Sequence, residues 1–165
     1  MPRLELETAI AAPRERCFDL ARDLDLHLRS MKSAGERAVG GRTSGLIEMG
    51  EEVAWEARHF GIAHQHRSRI TAFDRPAHFR DSMVSGRFKC FEHDHYFAES
   101  HGRTIMRDVI EFTSPLGLIG RVVDALVLSG YLRKLIVQRN RVIKETAEAA
   151  SKGPSNDKMP QTSRG

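Results

Sequence analysis

The residues best equipped for chemistry in this chain lie in one short run, Phe91-Glu92-His93-Asp94-His95-Tyr96-Phe97. Read as a β-strand, its period of two puts Phe91, His93, His95 and Phe97 on one face and Glu92, Asp94 and Tyr96 on the other. Two imidazoles bracketed by aromatic rings make a face that turns inward without being plain hydrocarbon, which is the lining expected of a cavity. An imidazole titrates near neutral pH and can donate, accept or ligate. The same face therefore suits ligand recognition, acid–base chemistry or metal binding.

Strand parity supplies companions. On a strand from Arg103 to Thr113, Met106, Ile110 and Phe112 share a face with Asp108. A hairpin turn at Ser100-His101-Gly102 places Asp108 within about one residue of His95, and His93 opposite Val109 or Ile110. On a strand from Leu46 to Phe60, Met49, Val53, Trp55 and Ala57 share a face with Glu51, which the same register brings near the His93 level. The expected lining is Glu51, Val53, Trp55, Phe91, His93, His95, Met106, Asp108 and Ile110, with Trp55 and Phe91 as wall.

Three readings of the Glu51, His93, His95 and Asp108 cluster stay open. It is a satisfied internal hydrogen-bond network, since buried polar groups must find partners in any case. Or it fixes the polar end of an apolar ligand. Or a carboxylate-poised histidine acts as general acid and base, with His93, His95 and Asp108 as the catalytic candidates. His93-x-His95 points two imidazoles one way, but local spacing fixes no third ligand, so neither a metal nor a cofactor is expected. Trp55 reads first as an ordinary core anchor.

The elements that must position these residues follow from periodicity. Leu4, Leu6, Thr8 and Ile10 alternate with Glu5, Glu7 and Ala9 as a first strand. Ala12-Pro13 opens a helix, Pro being suited to a first turn, and Phe18, Ala21 and Leu24/Leu26 continue its apolar face. A second short helical piece spans Asp25 to Met31, and Gly35, Gly40, Gly41 and Gly45 punctuate the exit into sheet. Strands then run Leu46 to Phe60, Ile62 to Phe73, His78 to Ser85, Arg87 to Ala98 and Arg103 to Thr113, joined by turns such as Asp74-Arg75-Pro76, where Pro presets φ. From Leu118 to about Ala150 apolar residues recur at helical steps, with Gly130 as an interruption.

Size and composition set bounds. The chain has 165 residues and a net charge of +4, enough for one core and too little for two. Bases and acids interleave, which excludes a nucleic-acid stripe; the arginines at 58, 67, 69 and 80 alternate away from the pocket as a solvated surface. Cys17 and Cys90 lack CxxC spacing, so neither a disulfide framework nor a zinc knuckle is expected. The first residues carry charges where a signal peptide needs an apolar run. No stretch reaches the roughly 18 apolar residues that span a bilayer. A cytoplasmic protein with one domain over residues 1–150 and a disordered tail over 151–165 is expected.

Along the segments Gly50-Glu51-Glu52-Val53-Ala54-Trp55-Glu56-Ala57-Arg58-His59-Phe60-Gly61, Pro76-Ala77-His78-Phe79-Arg80-Asp81, Gly86-Arg87-Phe88, His93-Asp94-His95-Tyr96-Phe97, Thr104-Ile105-Met106-Arg107-Asp108 and Pro115-Leu116-Gly117, the chain resembles the START-like, or SRPBCC, superfamily. It looks closest to a bacterial, polyketide cyclase/dehydrase-like branch, with the likeness covering Leu4 to about Glu148. The resemblance implies an α+β helix-grip fold: two short helices after the first strand, and a curved antiparallel sheet of about six or seven strands around a long C-terminal helix. It further implies a small hydrophobic or amphipathic ligand in a cavity between sheet and helix. The leading function is binding or transport, with a cyclase/dehydrase-type enzyme and an accessory protein-interaction domain as alternatives. The apolar run Leu126-Val127-Leu128 with Tyr131-Leu132 reads as a helix wrapped by the sheet, a homodimer face or a transient membrane contact. Basic Arg133, Lys134, Arg139, Arg141 and Lys144 follow it and complement a helix C-terminus.

Overall fold

A computed structural model describes residues 2–32, 35–59, 62–113 and 127–151. Strand β1 (Arg3–Ile10) leads into α1 (Arg14–Ala21) and α2 (Leu24–Ser30), then β2 (Arg37–Gly41), β3 (Glu52–His59), β4 (Ile62–Asp74), β5 (His78–Ser85), β6 (Cys90–Ser100), β7 (Arg103–Thr113) and α3 (Ser129–Ser151). The strands form one seven-stranded antiparallel sheet in the order β1-β7-β6-β5-β4-β3-β2. From β2 to β7 every strand pairs with its successor, so this part is a run of hairpins, and β1 closes the far edge against β7. The three helices gather on one face, α3 packing on β1, α1 and α2. This is the expected α+β helix-grip architecture.

Two expectations need correction. The strand predicted from Leu46 begins only at Glu52. Gly45 and Gly50 adopt positive φ of 72° and 78°, a left-handed conformation that breaks extended chain. Leu46 makes an isolated bridge to Asp23 instead, and Ile47 N–H donates to Arg22 O. The glycines read as punctuation before the sheet include part of a strand: β2 contains Gly40 and Gly41, with a bulge after Ala38. Gly41 (φ 69°) sits so close to β3 that a Cβ there would lie 2.2 Å from Glu52 O. The Phe60-Gly61 turn, the helical pattern over 118–126 and the tail from 152 lie outside the described residues.

The helical corner has a chemical reason. Asp23 accepts hydrogen bonds from the N–H groups of Asp25 and Leu26, capping α2. Arg22 is buried, and its guanidinium holds Asp19, Ile47 O and Glu48. Cys17 is fully buried on the inner stripe of α1.

The interior is layered. One apolar cluster is built from Ile10, Phe18, Phe79, Phe97, Met106 and Ile143, with Val53, Trp55 and Ile70 further along the sheet. A second holds Leu4, Ile110, Phe112 and Ile136, with Phe88, Phe91, Leu128 and Leu132 against it. Between them the inward residues of the facing elements are polar: Thr8 between Leu6 and Ile10, Asp108 between Ile110 and Met106, His93 and His95 between Phe91 and Phe97, Arg139 and Asn140 between Ile136 and Ile143. The outer sheet face carries ion pairs such as Arg67 and Arg69 with Glu52, and Arg80 with Glu92 and Asp94, as expected for a solvated surface. No described helix is long and apolar enough to cross a membrane.

Candidate functional site

The polar layer is the candidate site. In the β6–β7 register His95 pairs with Asp108 and His93 with Ile110, as strand parity and the Ser100–Gly102 turn predict. Both imidazoles point inward: His93 is 8% exposed, His95 2%, and Asp108 is fully enclosed. Asp108 Oδ1 lies 2.8 Å from His93 Nε2 in a hydrogen bond. It is also 2.8 Å from His95 Nδ1, but that nitrogen is poorly aligned with it and has no hydrogen-bond partner among the described residues. The two rings lean on each other with centroids 3.8 Å apart, and His95 stacks on Phe79 at 4.2 Å.

Helix α3 completes the cluster from above. Asn140 Nδ2 donates to Asp108 Oδ2 at 2.6 Å and to Thr8 Oγ1 at 3.2 Å. Arg139 Nη1 stands 3.6 Å from Asp108 Oδ1, while Nη2 donates to Ala21 O at the end of α1 at 2.6 Å. Arg139 and Asn140 are 4% and 2% exposed. Sequence reasoning set Arg139 among basic residues at the helix end and did not single out Asn140. The available signal was a polar pair placed where the apolar stripe from Leu135 to Ile143 should have continued inward.

Electrostatics follow from enclosure. Burial pushes the Asp108 carboxyl up, but the hydrogen bond from His93 and the His95 imidazole beside it outweigh this and hold the group well below the usual carboxylate range. Burial, with the His93 and Arg139 charges, drives His95 well below the ordinary histidine value, so it sits there as neutral imidazole. Burial also lowers Arg139, against the opposing pull of Asp108. Within the layer Asp108 and Arg139 thus face each other as anion and cation, mutually compensating. Beside it, Asp81 pairs with His93 in the sheet, and burial raises its carboxyl toward the neutral acid despite a hydrogen bond from Ser68.

The other expected lining residues divide. Met106 and Ile110 flank Asp108 and are fully buried, and Phe91 packs half-buried against Phe88. Val53 and Trp55 reach the interior at the far side of the sheet, where Trp55 Nε1 donates to Ser68 Oγ at 3.3 Å and its ring lies 4.7 Å from His27, which pairs with Glu36. Glu51 does not join the cluster. Its level is right, since its carbonyl bonds Ile70 N–H and Ile70 pairs with Asp81 beside His93. However, its backbone belongs to the Gly50 turn, and its carboxylate leaves the interior to bind Arg42 and Glu48 N–H. A recess of about 140 Å³ lies elsewhere, over β2–β4, lined by Val39, Ala54, Trp55, Gln65, His66, Arg67 and Ser85.

His93, His95 and Asp108 offer three ligand atoms within 4.8 Å of one another, compact enough for a cation. Yet the carboxylate already faces the Arg139 guanidinium, and a dication would add to that buried positive charge. The set therefore works as a hydrogen-bonded ion pair with imidazole neighbours.

No family model and no curated relative matches the chain. Solved structures do. The protein TTHA0849 from Thermus thermophilus superposes with a TM-score of 0.73 at 20% identity, over 91% of this chain and 99% of that one. The Zhui aromatase/cyclase from Streptomyces sp. R1128 gives 0.73 at 11%, over 93% and 98%, and a START superfamily protein from Mycobacterium smegmatis gives 0.67 at 10%, over 90% and 98%. The fold is START-like. Neither this START-like fold nor the comparisons support a homodimer or a membrane contact through α3: Ile136, Ile143 and Ala147 are buried inside the domain, and Leu128 and Leu132 pack on the second apolar cluster.

Proposed function

We propose that the protein binds a small hydrophobic or amphipathic molecule between the concave sheet face and α3, with the Asp108 layer at the polar end of that molecule. The carrying observation is the enclosed polar layer, whose His95 Nδ1, Arg139 Nη1 and Asn140 Oδ1 lack hydrogen bonds among the described residues. Burying such groups is unfavourable unless something partners them, and apolar clusters above and below provide the surroundings that an amphipathic guest requires. The START-like fold, shared with proteins including an aromatase/cyclase, agrees with this reading. Native mass spectrometry of the protein purified from its source tests it. A co-purifying small molecule released on denaturation is expected. No adduct, together with no thermal shift from any apolar or amphipathic compound, would leave an interaction domain as the better account.

The His93–Asp108 hydrogen bond of 2.8 Å favours a second reading, a cyclase/dehydrase-type enzyme. There a histidine oriented by the carboxylate takes a proton from carbon beside a carbonyl and returns it to a departing hydroxyl. His93→Ala and Asp108→Asn should then abolish turnover while ligand uptake persists. In a pure carrier the same substitutions lower affinity, and no product forms.

A further inference from the structure

Two of the atoms without a hydrogen bond among the described residues, Asn140 Oδ1 and Arg139 Nη1, differ in hydrogen-bonding character, and together they specify a head group. Asn140 donates with Nδ2 to Asp108 and Thr8; this fixes the amide orientation and leaves Oδ1 as an acceptor without a donor among the described residues. Arg139 Nη1 can only donate, and it is likewise without a hydrogen bond. Acceptor and donor both come from α3, on consecutive residues that flank the same carboxylate. A hydroxyl group, which accepts and donates through one oxygen, matches both characters. An ether or a simple hydrocarbon cannot.

Charge sharpens the choice. The Asp108 carboxylate already compensates Arg139, and His95 is held neutral by burial. A ligand carboxylate would bring a second anion beside Asp108, which already engages the Arg139 guanidinium, and a ligand ammonium would face Arg139. We infer that the guest's polar end is an uncharged hydroxyl, received by Arg139 Nη1 as donor and Asn140 Oδ1 as acceptor, and that carboxylate analogues are rejected. This rests on the binding reading above and deepens it.

Three probes of one shape test the inference: naphthalene, 2-naphthol and 2-naphthoate, titrated at pH 7 against the full chain and followed by ligand fluorescence and calorimetry. The expected result is 2-naphthol bound at least about tenfold more tightly than either analogue, the scale of one buried hydrogen bond. Equal binding of naphthalene and 2-naphthol, or tighter binding of 2-naphthoate, overturns the inference and leaves the binding function standing. No binding of any probe overturns the inference, and native mass spectrometry then decides the binding function on its own. Arg139→Met should erase the preference. Because it strands Asp108, the paired variant Asp108→Asn/Arg139→Met, which removes both charges together, serves if the single variant does not fold. A preference that survives in the folded variant removes Arg139 from the head-group site.

Discussion

Two regions at similar depth are built on opposite principles. In the first apolar cluster, Phe18 from α1 sits edge-on to Phe73, Phe79 and Phe97 at 5.3, 5.3 and 5.4 Å, a knot in which every contact is non-directional and none requires a partner. In the layer beside it, Asp108, His93, His95, Arg139 and Asn140 are as deeply enclosed, yet each atom must find a complement and three have none among the described residues. The regions touch where Phe79 stacks on His95. The knot contributes stability without specificity. The layer contributes little net stability, because desolvation offsets its Coulomb gain, and it holds the chemical options.

The comparison can be broken most directly at the knot. Phe18→Ala should destabilise by about 4 kcal/mol through lost burial and a cavity, read as a lower urea midpoint at unchanged ligand preference. Asp108→Asn should follow at about 3 kcal/mol, since it strands a buried guanidinium. Adding Arg139→Met should return half or more of that loss, whereas no second change in the polar layer should rescue Phe18→Ala. If Asp108→Asn proves neutral on its own, the ion pair does not exist as described.

Acidity separates the regions next. Asp108 and His95 have folded pKa values below their unfolded ones, so each adds stability that is complete above the unfolded value and fades as pH falls. For His95 the fading begins near its ordinary 6.5, with half-buried His66 acting in the same direction, and for Asp108 near 3.8. Asp81 has a raised value and opposes this, its contribution complete below 3.8 and fading as pH rises. Unfolding free energy measured from pH 7 to 5 should therefore decline, by at most about 1.4 kcal/mol per pH unit for each proton taken up, and His95→Gln should flatten the decline. A profile that His95→Gln leaves unchanged contradicts a neutral, buried His95. The smallest effect is expected far from both regions: Trp55→Phe removes the bond to Ser68 and should cost about 1 kcal/mol in a denaturant titration.

How much of this was legible in the sequence depends on what each residue had to reveal. Strand parity is a local rule, so Phe91 to Phe97 disclosed its inward face, and a three-residue turn sufficed to set His95 against Asp108. Glu51 shows where that rule stops. The register found its row, but one glycine in a left-handed conformation turned its carboxylate toward Arg42. β2 was hidden because Gly40-Gly41 reads as a breaker, and only the neighbouring strand shows why glycine is needed there. Arg139 and Asn140 were missed for a different reason. A charged residue on a helix is ordinarily solvent-facing, so the break these two make in the apolar stripe did not by itself show that they close over Asp108.

Gly41 carries a consequence for anyone surveying variants of this chain. It sits at the rim, far from the imidazoles, yet any replacement would drive a methyl into the carbonyl of Glu52 and peel the outermost ribbon from the sheet. A saturation screen will score that position among the least tolerant in the molecule. The intolerance will report carpentry, and ranking residues by mutational damage alone would send the search for the binding chamber to the wrong wall.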